Sequence, residues 1–255
     1  MTNFNLIRPI FGGVLTQSQV DGINAIMTAH QKYGDKDNLN ILAYELATAF
    51  WETGQAMQPV YERGSRTYFD KYEPGTKIGK MLGNTLKGDG YRFRGAGLVQ
   101  LTGRRNFTFW ARRLGLDLVA HPEMALHPDI SSRILVEGMK IGAFTGMGLS
   151  KAIDGVDEGD IEDLREYKEA RRTVNGVDKD DEIAALALRF EKALRSPGVN
   201  YPGGSAPPRR VPDAGVTPTL PVPDMKTNKV RTTSVLAAIF LPILYGIMKL
   251  FGWAP

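Results

Sequence analysis

The chain has 255 residues, 42% of them hydrophobic, enough to bury the core of one generous domain or two small ones. It contains no cysteine, which excludes disulfides, thiolate nucleophiles and cysteine-based zinc sites. A formal charge of +4 and a pI near 9.2 predict mild attraction to anionic partners without choosing among nucleic acid, phospholipid headgroups and acidic wall polymers.

The opening MTNFNLIRPIFGG places no basic residue ahead of a sustained apolar run, so no secretory signal is expected. Thr16 is positioned to cap a helix over 17–33, with Val20, Ile23 and Ile26 or Met27 on one face and Gly34 as its stop. A second helix is expected over 38–53, where Ile41, Leu42, Leu46, Ala49 and Phe50 form an apolar stripe and Gly54 ends it. Glycine, proline and aromatic residues dominate 55–103, which reads as loops with one short hairpin. Helices resume over 104–114, 129–144, 160–174 and 178–195, several opening on an aspartate suited to a helix N-terminus. The expected fold is therefore mostly α with minor β, one domain over 1–196, and no internal repeat is visible.

The composition changes at Pro197. Residues 197–231 are too rich in proline and glycine and too poor in apolar side chains to pack, so they read as a flexible linker. At about 3.1 Å per residue it reaches on the order of 100 Å when fully extended. The segment 232–255 is expected to be a C-terminal transmembrane anchor. Val235 to Met248 carries no charge, and counting on to Trp253 gives about 20 residues, roughly 30 Å of helix. Pro242 lies inside it, and the alternative is a hydrophobic helix that docks on a partner or lies in the membrane interface. Lys226, Lys229 and Arg231 precede the segment and only Lys249 follows it, so the positive-inside tendency leaves the folded domain on the cytoplasmic side.

Among single residues, Glu52 stands out because it follows Phe50 and Trp51 at a helix end, where apolar neighbours can desolvate a carboxyl group. By spacing alone it is also readable as a surface glutamate, and Glu45, two turns earlier, looks no different. Gly95 and Gly97 begin a dinucleotide fingerprint that Gln100 breaks. His30, His121 and His127 lack metal-ligand spacing, so no metal or cofactor is expected. The string RRNFTFWARR reads as an amphipathic helix with Phe107, Trp110 and Leu114 inward, and no nucleic-acid partner is expected.

Four stretches carry a resemblance: IRPIFGGVLTQSQVDGINAI, FWETGQAMQPVYERG, GDGYRFRGAGLVQLTGRRNF and ARRTVNG. Together, over about residues 5–195, the chain resembles phage endolysins of the family 19 glycoside hydrolases, the chitinase-related group. The third stretch is the most specific. The resemblance implies a lysozyme-like catalytic domain, monomeric and without cofactor, that hydrolyses β-1,4 bonds of peptidoglycan by inversion. It implies Glu52 as general acid and Glu62 as the base that activates water; from the residues alone Glu62 is also readable as a solvated loop glutamate paired with Arg63, and Asp70, Glu73 and Asp89 are local competitors. Thr102 would position the water, and Gln100, Asn106, Asn175 and Tyr91 would bind sugars, with Phe93 and Trp51 as further ring platforms.

Two positions depart from the pattern. Trp51 replaces the histidine usual before the acid, and Ala96 stands where relatives carry arginine or another polar residue. The alternatives are a chitinase acting on N-acetylglucosamine polymers, or a catalytically silent wall-binding protein tethered to a membrane. The expected location is the host inner membrane, or a virion membrane, with the domain acting on the periplasmic wall.

Overall fold

A computed structural model of the chain describes residues 4–156, 159–174 and 179–196. The linker, the C-terminal apolar segment and Asn175 lie outside the described residues. Among those described, no helix is long and apolar enough to cross a membrane.

The first long helix, α1, runs Gln17–Tyr33. Thr16 caps it reciprocally with Gln19, each side chain engaging the other's backbone N–H, as a capping box does. The second, α2, runs Leu39–Glu52 and is capped by the Asn38 side chain on the Ile41 N–H. Every residue of α2 except Trp51 is buried. The apolar stripe expected from the sequence is therefore only part of its contact surface, because neighbours close on α2 from all sides. The last helix, α8 (Asp180–Arg195), lies along it, while α7 (Asp160–Ala170) packs on α8 and α6 (Pro128–Ile141) packs on α1. The helices expected over 129–144 and 160–174 stop sooner, at Gly142 in a left-handed conformation and at a short 3-10 turn, Arg171–Thr173.

Between α2 and α5 (Arg104–Leu114) the chain is more ordered than the loop expected there. It forms a 3-10 helix, Arg66–Tyr72, and two short helices, α3 (Lys77–Met81) and α4 (Asp89–Arg92). Two short strands, β1 (Val60–Tyr61) and β2 (Ala96–Gly97), pair antiparallel with Val60 opposite Gly97 and Tyr61 opposite Ala96. The expected short hairpin is the pinch in which Ala96 and Leu101 exchange backbone hydrogen bonds of 3.1 and 2.8 Å. Gly97 has φ +86°, and a Cβ there would lie 2.7 Å from Ser131 Oγ on α6, so only glycine lets the sheet sit this close to that helix.

One hydrophobic core joins the long helices and the sheet, and a smaller cluster of Phe69, Tyr72 and Leu82 sits beneath the 3-10 helix. α5 buries Phe107 and Trp110 and leaves its arginines outside, as an amphipathic helix should. Burial of each of these two rings contributes about 1.5–3 kcal/mol.

Candidate active site

Glu62 follows β1 directly, and the sheet fixes its backbone: its N–H donates to the Gly95 carbonyl at 2.7 Å. The side chain is 3% exposed. Its carboxylate accepts from Tyr72 Oη at 3.2 Å and from the Gly95 N–H at 3.3 Å. Lys71 lies over the Tyr68 ring at 3.5 Å and the Tyr72 ring at 4.7 Å, and its charge acts on Glu62. Burial raises the Glu62 pKa above the ordinary carboxylate value, while Gly95, Lys71 and the two tyrosine hydroxyls offset part of that rise. Burial and the neighbouring carboxylate in turn push the Tyr68 phenol up to about 12, while burial lowers the Lys71 pKa and the Glu62 charge offsets part of that fall. A carboxylate of raised pKa has enhanced basicity, which suits proton abstraction from water.

The turn after β2 brings three more predicted residues to the same sheet. Gln100 takes φ +53°, a conformation uncommon outside glycine, and its amide donates to the carbonyls of Val60 and Gly97 at 3.0 and 2.9 Å. It thereby ties β1 to the turn, while its buried Oε1 has no hydrogen-bond partner among the described residues. Thr102 is buried and donates to the Gln100 carbonyl at 2.8 Å, and Asn106 donates to the Thr102 carbonyl at 2.8 Å from the first turns of α5. Gln100, Thr102 and Asn106 thus form a hydrogen-bonded chain that runs from the start of α5 to Val60 and Gly97 on the sheet that carries Glu62.

Glu52 ends α2 and is 7% exposed. Its Oε1 meets Arg171 Nη1 at 3.2 Å, and Arg171 is itself completely buried. A carboxylate removed from water needs a counter-charge, and the chain supplies it from the 3-10 turn after α7. Both charges act on the buried phenol of Tyr44, whose pKa burial raises well above the ordinary tyrosine value. Trp51 is half-buried against the core beside Glu52, and Ala96 is enclosed in β2.

The other carboxylates weighed from sequence are committed elsewhere or open to solvent. Glu45 is buried against His30, with His30 Nδ1 to Glu45 Oε2 at 2.8 Å. Glu73 accepts from the Gly88 and Gly90 N–H groups at 2.7 and 3.0 Å. Asp89 accepts from the Thr85 and Leu86 N–H groups and pairs with Arg104, bonds that hold its pKa low despite burial. Asp70 is exposed, and so is Arg63, the sequence neighbour of Glu62. Phe93 is wholly buried against Phe107, so it belongs to the core and not to a sugar platform. Among the described residues, no group of three or more His, Asp or Glu is placed to hold a metal.

Sequence reading missed Arg171, Tyr68, Lys71 and Tyr72. Arg171 lay within a recognised stretch without a role. Tyr68, Lys71 and Tyr72 fall at positions i, i+3 and i+4, the one signal that could have grouped them on a helical face.

No family model matches the sequence, and no curated protein does. Solved structures do match. The chain is similar to chitinase C from Streptomyces griseus HUT6037, with a TM-score of 0.51 and 16% identity over 78% of each chain. A mutant of chitinase C gives 0.50 at the same identity and coverage. A bacterial family 19 chitinase, described as differing from plant enzymes, gives 0.48 at 16% identity over 80% of this chain and 98% of that one. The fold is accordingly chitinase-like, a helical, lysozyme-like architecture with a minimal sheet.

Proposed function

We propose that this chain is a glycoside hydrolase that cuts β-1,4 bonds of bacterial cell-wall glycan by single displacement, in the manner of a phage endolysin. The observation that carries this reading is Glu62. It is a buried carboxylate of raised pKa, held by a tyrosine hydroxyl and a backbone N–H on the sheet of a chitinase-like fold. Glu52, the second carboxyl group, acts as the acid and gives its proton to the departing glycosidic oxygen. Arg171 steadies the carboxylate that remains. Glu62 takes a proton from water, Thr102 orients that water, and the water attacks the anomeric carbon from the face opposite the leaving sugar. Gln100, whose amide N–H groups are held by Val60 and Gly97, offers its Oε1 to a sugar hydroxyl, Asn106 offers the amide atoms that Thr102 does not engage, and Asn175 completes that set.

The apolar run at 235–248 holds the domain at the host inner membrane, and the linker gives it reach toward the wall once a lesion or export exposes it. Protease accessibility of the domain in intact spheroplasts tests this placement, and early digestion from outside overturns a cytoplasmic waiting state.

Chitin is the second reading, favoured by the names of the structural neighbours. Release of reducing ends by the full chain from purified peptidoglycan and from chitin decides between them. Glu52→Gln and Glu62→Gln should each lower the rate about 10²- to 10⁴-fold while remaining folded. Tight binding to wall material with no reducing ends released would replace the hydrolase by a silent wall-binding protein.

A further inference from the structure

A column of rings and cations stands beside Glu62. The Arg94 guanidinium lies 3.8 Å from the centre of the Tyr61 ring and 4.2 Å from that of Tyr91. Arg66 lies 4.9 Å from the Tyr91 ring, and Phe69 meets that ring edge-on with centroids 5.6 Å apart. Arg94 Nη1 donates to the Tyr91 carbonyl at 2.8 Å, which further restrains the half-buried guanidinium. Its other N–H groups make no hydrogen bond among the described residues, and neither Arg94 nor Arg66 has a carboxylate partner there. Glu123, whose charge reaches Tyr61, is exposed and engages His121.

This geometry differs from that of a surface arginine. A flexible side chain loses rotamer freedom on binding, whereas Arg94 is already held over two rings, with its remaining donors in the guanidinium plane. That edge presents the fork that accepts a carboxylate through two parallel N–H···O bonds. Its position is tied to the sheet. Tyr61 precedes Glu62 in the chain, and Arg94 precedes Gly95, whose N–H donates to the Glu62 carboxylate at 3.3 Å. The Tyr91 ring, expected from sequence to bind sugar, spends its contacts on Arg94, Arg66 and Phe69.

We propose that Arg94, clamped by Tyr61 and Tyr91, binds a carboxylate substituent of the glycan and so selects acidic wall glycan over neutral chitin. This deepens the cell-wall reading above and rests on it for the choice of polymer. Chitin offers only hydroxyl and N-acetyl groups. Wall glycan carries a lactyl ether on alternate sugars, whose carboxyl group is either free or extended by a peptide with carboxylates of its own. Arg66 adds a second positive charge to the same column.

The test uses two forms of one polymer: peptide-stripped glycan strands with free lactyl carboxylates, and the same strands with those groups converted to methylamides. Binding is measured with the full chain carrying Glu52→Gln, so that the probes are not consumed. With Arg94 present, the acidic strands should bind about tenfold more tightly than the methylamide strands, the scale of one charge-assisted hydrogen-bonded pair. Arg94→Gln should bring that ratio below about twofold, and Arg66→Gln, at an exposed residue that leaves folding intact, should lower it about two- to threefold. A ratio near one with Arg94 present, or one unchanged in Arg94→Gln, overturns the proposal. Its failure is distinguishable from that of the hydrolase reading. Arg94-dependent selectivity with no reducing ends released by the native chain removes the hydrolase and keeps the carboxylate site, whereas hydrolysis of both polymers with a ratio of one does the reverse.

Discussion

Tyr72→Phe isolates what the protein environment does to Glu62. The substitution keeps the ring, which is 1% exposed and packed with Phe69 and Leu82, and deletes only the hydroxyl that donates to Glu62 Oε1 at 3.2 Å. A buried hydrogen bond to a charged group contributes about 1.5–3 kcal/mol, and 3.2 Å is long for an O–H···O⁻ bond, so the low end applies. About 1.4 kcal/mol corresponds to about one pKa unit. The Tyr72 bond pulls the Glu62 pKa down against burial, so its loss moves the pKa further up. A base must be ionised to work. The acidic limb of kcat/KM against pH on soluble wall glycan should therefore shift about one unit upward, with the plateau above it little changed. The linkage has a definite sign. A carboxyl group whose pKa is raised by folding adds stability below its unfolded value of about 4.3 and loses that contribution as pH rises through the folded value. Denaturant titrations should accordingly show Tyr72→Phe costing about 1.4 kcal/mol more above the limb than well below it. A limb that stays in place, or moves downward, refutes the assignment of Glu62 as a base tuned by this hydroxyl.

Substitutions at Arg171, His30 and Gly22 probe the support of the site and the buried ion pairs of the fold. Arg171→Met should destabilise the fold by about 3–5 kcal/mol in denaturant titration, because it breaks the buried pair with Glu52. Arg171→Lys should restore part of both stability and rate. His30→Ala should cost a similar amount, about 3–5 kcal/mol, and the double variant with Glu45→Leu should recover much of it in a double-mutant cycle. Burial lowers the His30 pKa, but the charge and hydrogen bond of Glu45 outweigh it and leave the value raised. The His30 contribution to stability should thus be complete below about pH 6.5 and fade as pH rises through the folded value, which thermal melts across pH 5 to 9 would register. Gly22→Ala should destabilise by about 1–3 kcal/mol and lower activity, since a Cβ on α1 would sit 1.8 Å from the Met57 carbonyl, in the segment that joins Glu52 to Glu62. Normal activity and stability in that variant would show that the segment yields without consequence for the site.

Where the chain signals through local periodicity, sequence was a sufficient guide. The Thr16 cap, the helix over 17–33, the end of α2 near Glu52 and the helix over 104–114 follow from capping, spacing and glycine stops, all of which act within a few residues. It failed where partners are distant in the chain. The strand paired with Val60–Tyr61 is Ala96–Gly97, and α3, α4 and the 3-10 helix between them are too short to show a period. Glu45 and Glu52 share one helix and were indistinguishable from it alone. Only the arrival of His30 from α1 beside one and of Arg171 from beyond α7 beside the other gives them different chemistry.

The stretch that spoke most clearly in the sequence turns out to be largely scaffold. In GDGYRFRGAGLVQLTGRRNF, Gly88 and Gly90 give their N–H groups to Glu73, Asp89 closes on Thr85, Leu86 and Arg104, and Phe93 and Phe107 fill the core. Gly103 takes φ +88° with Leu82 so close that a Cβ would lie 2.6 Å from it. A motif this constrained is easy to notice because several of its positions leave no room for a Cβ. Glu62, by contrast, is identified by what the scaffold delivers to it from elsewhere: the Gly95 N–H from that motif, Tyr72 from the 3-10 helix and the backbone register of β1. A carboxylate can be asked to do chemistry only after the fold has satisfied its structural needs with others. Asp89, Glu73 and Glu45 meet those needs, and the proposed reaction draws instead on Glu62 and on Glu52, which Arg171 holds at the end of α2.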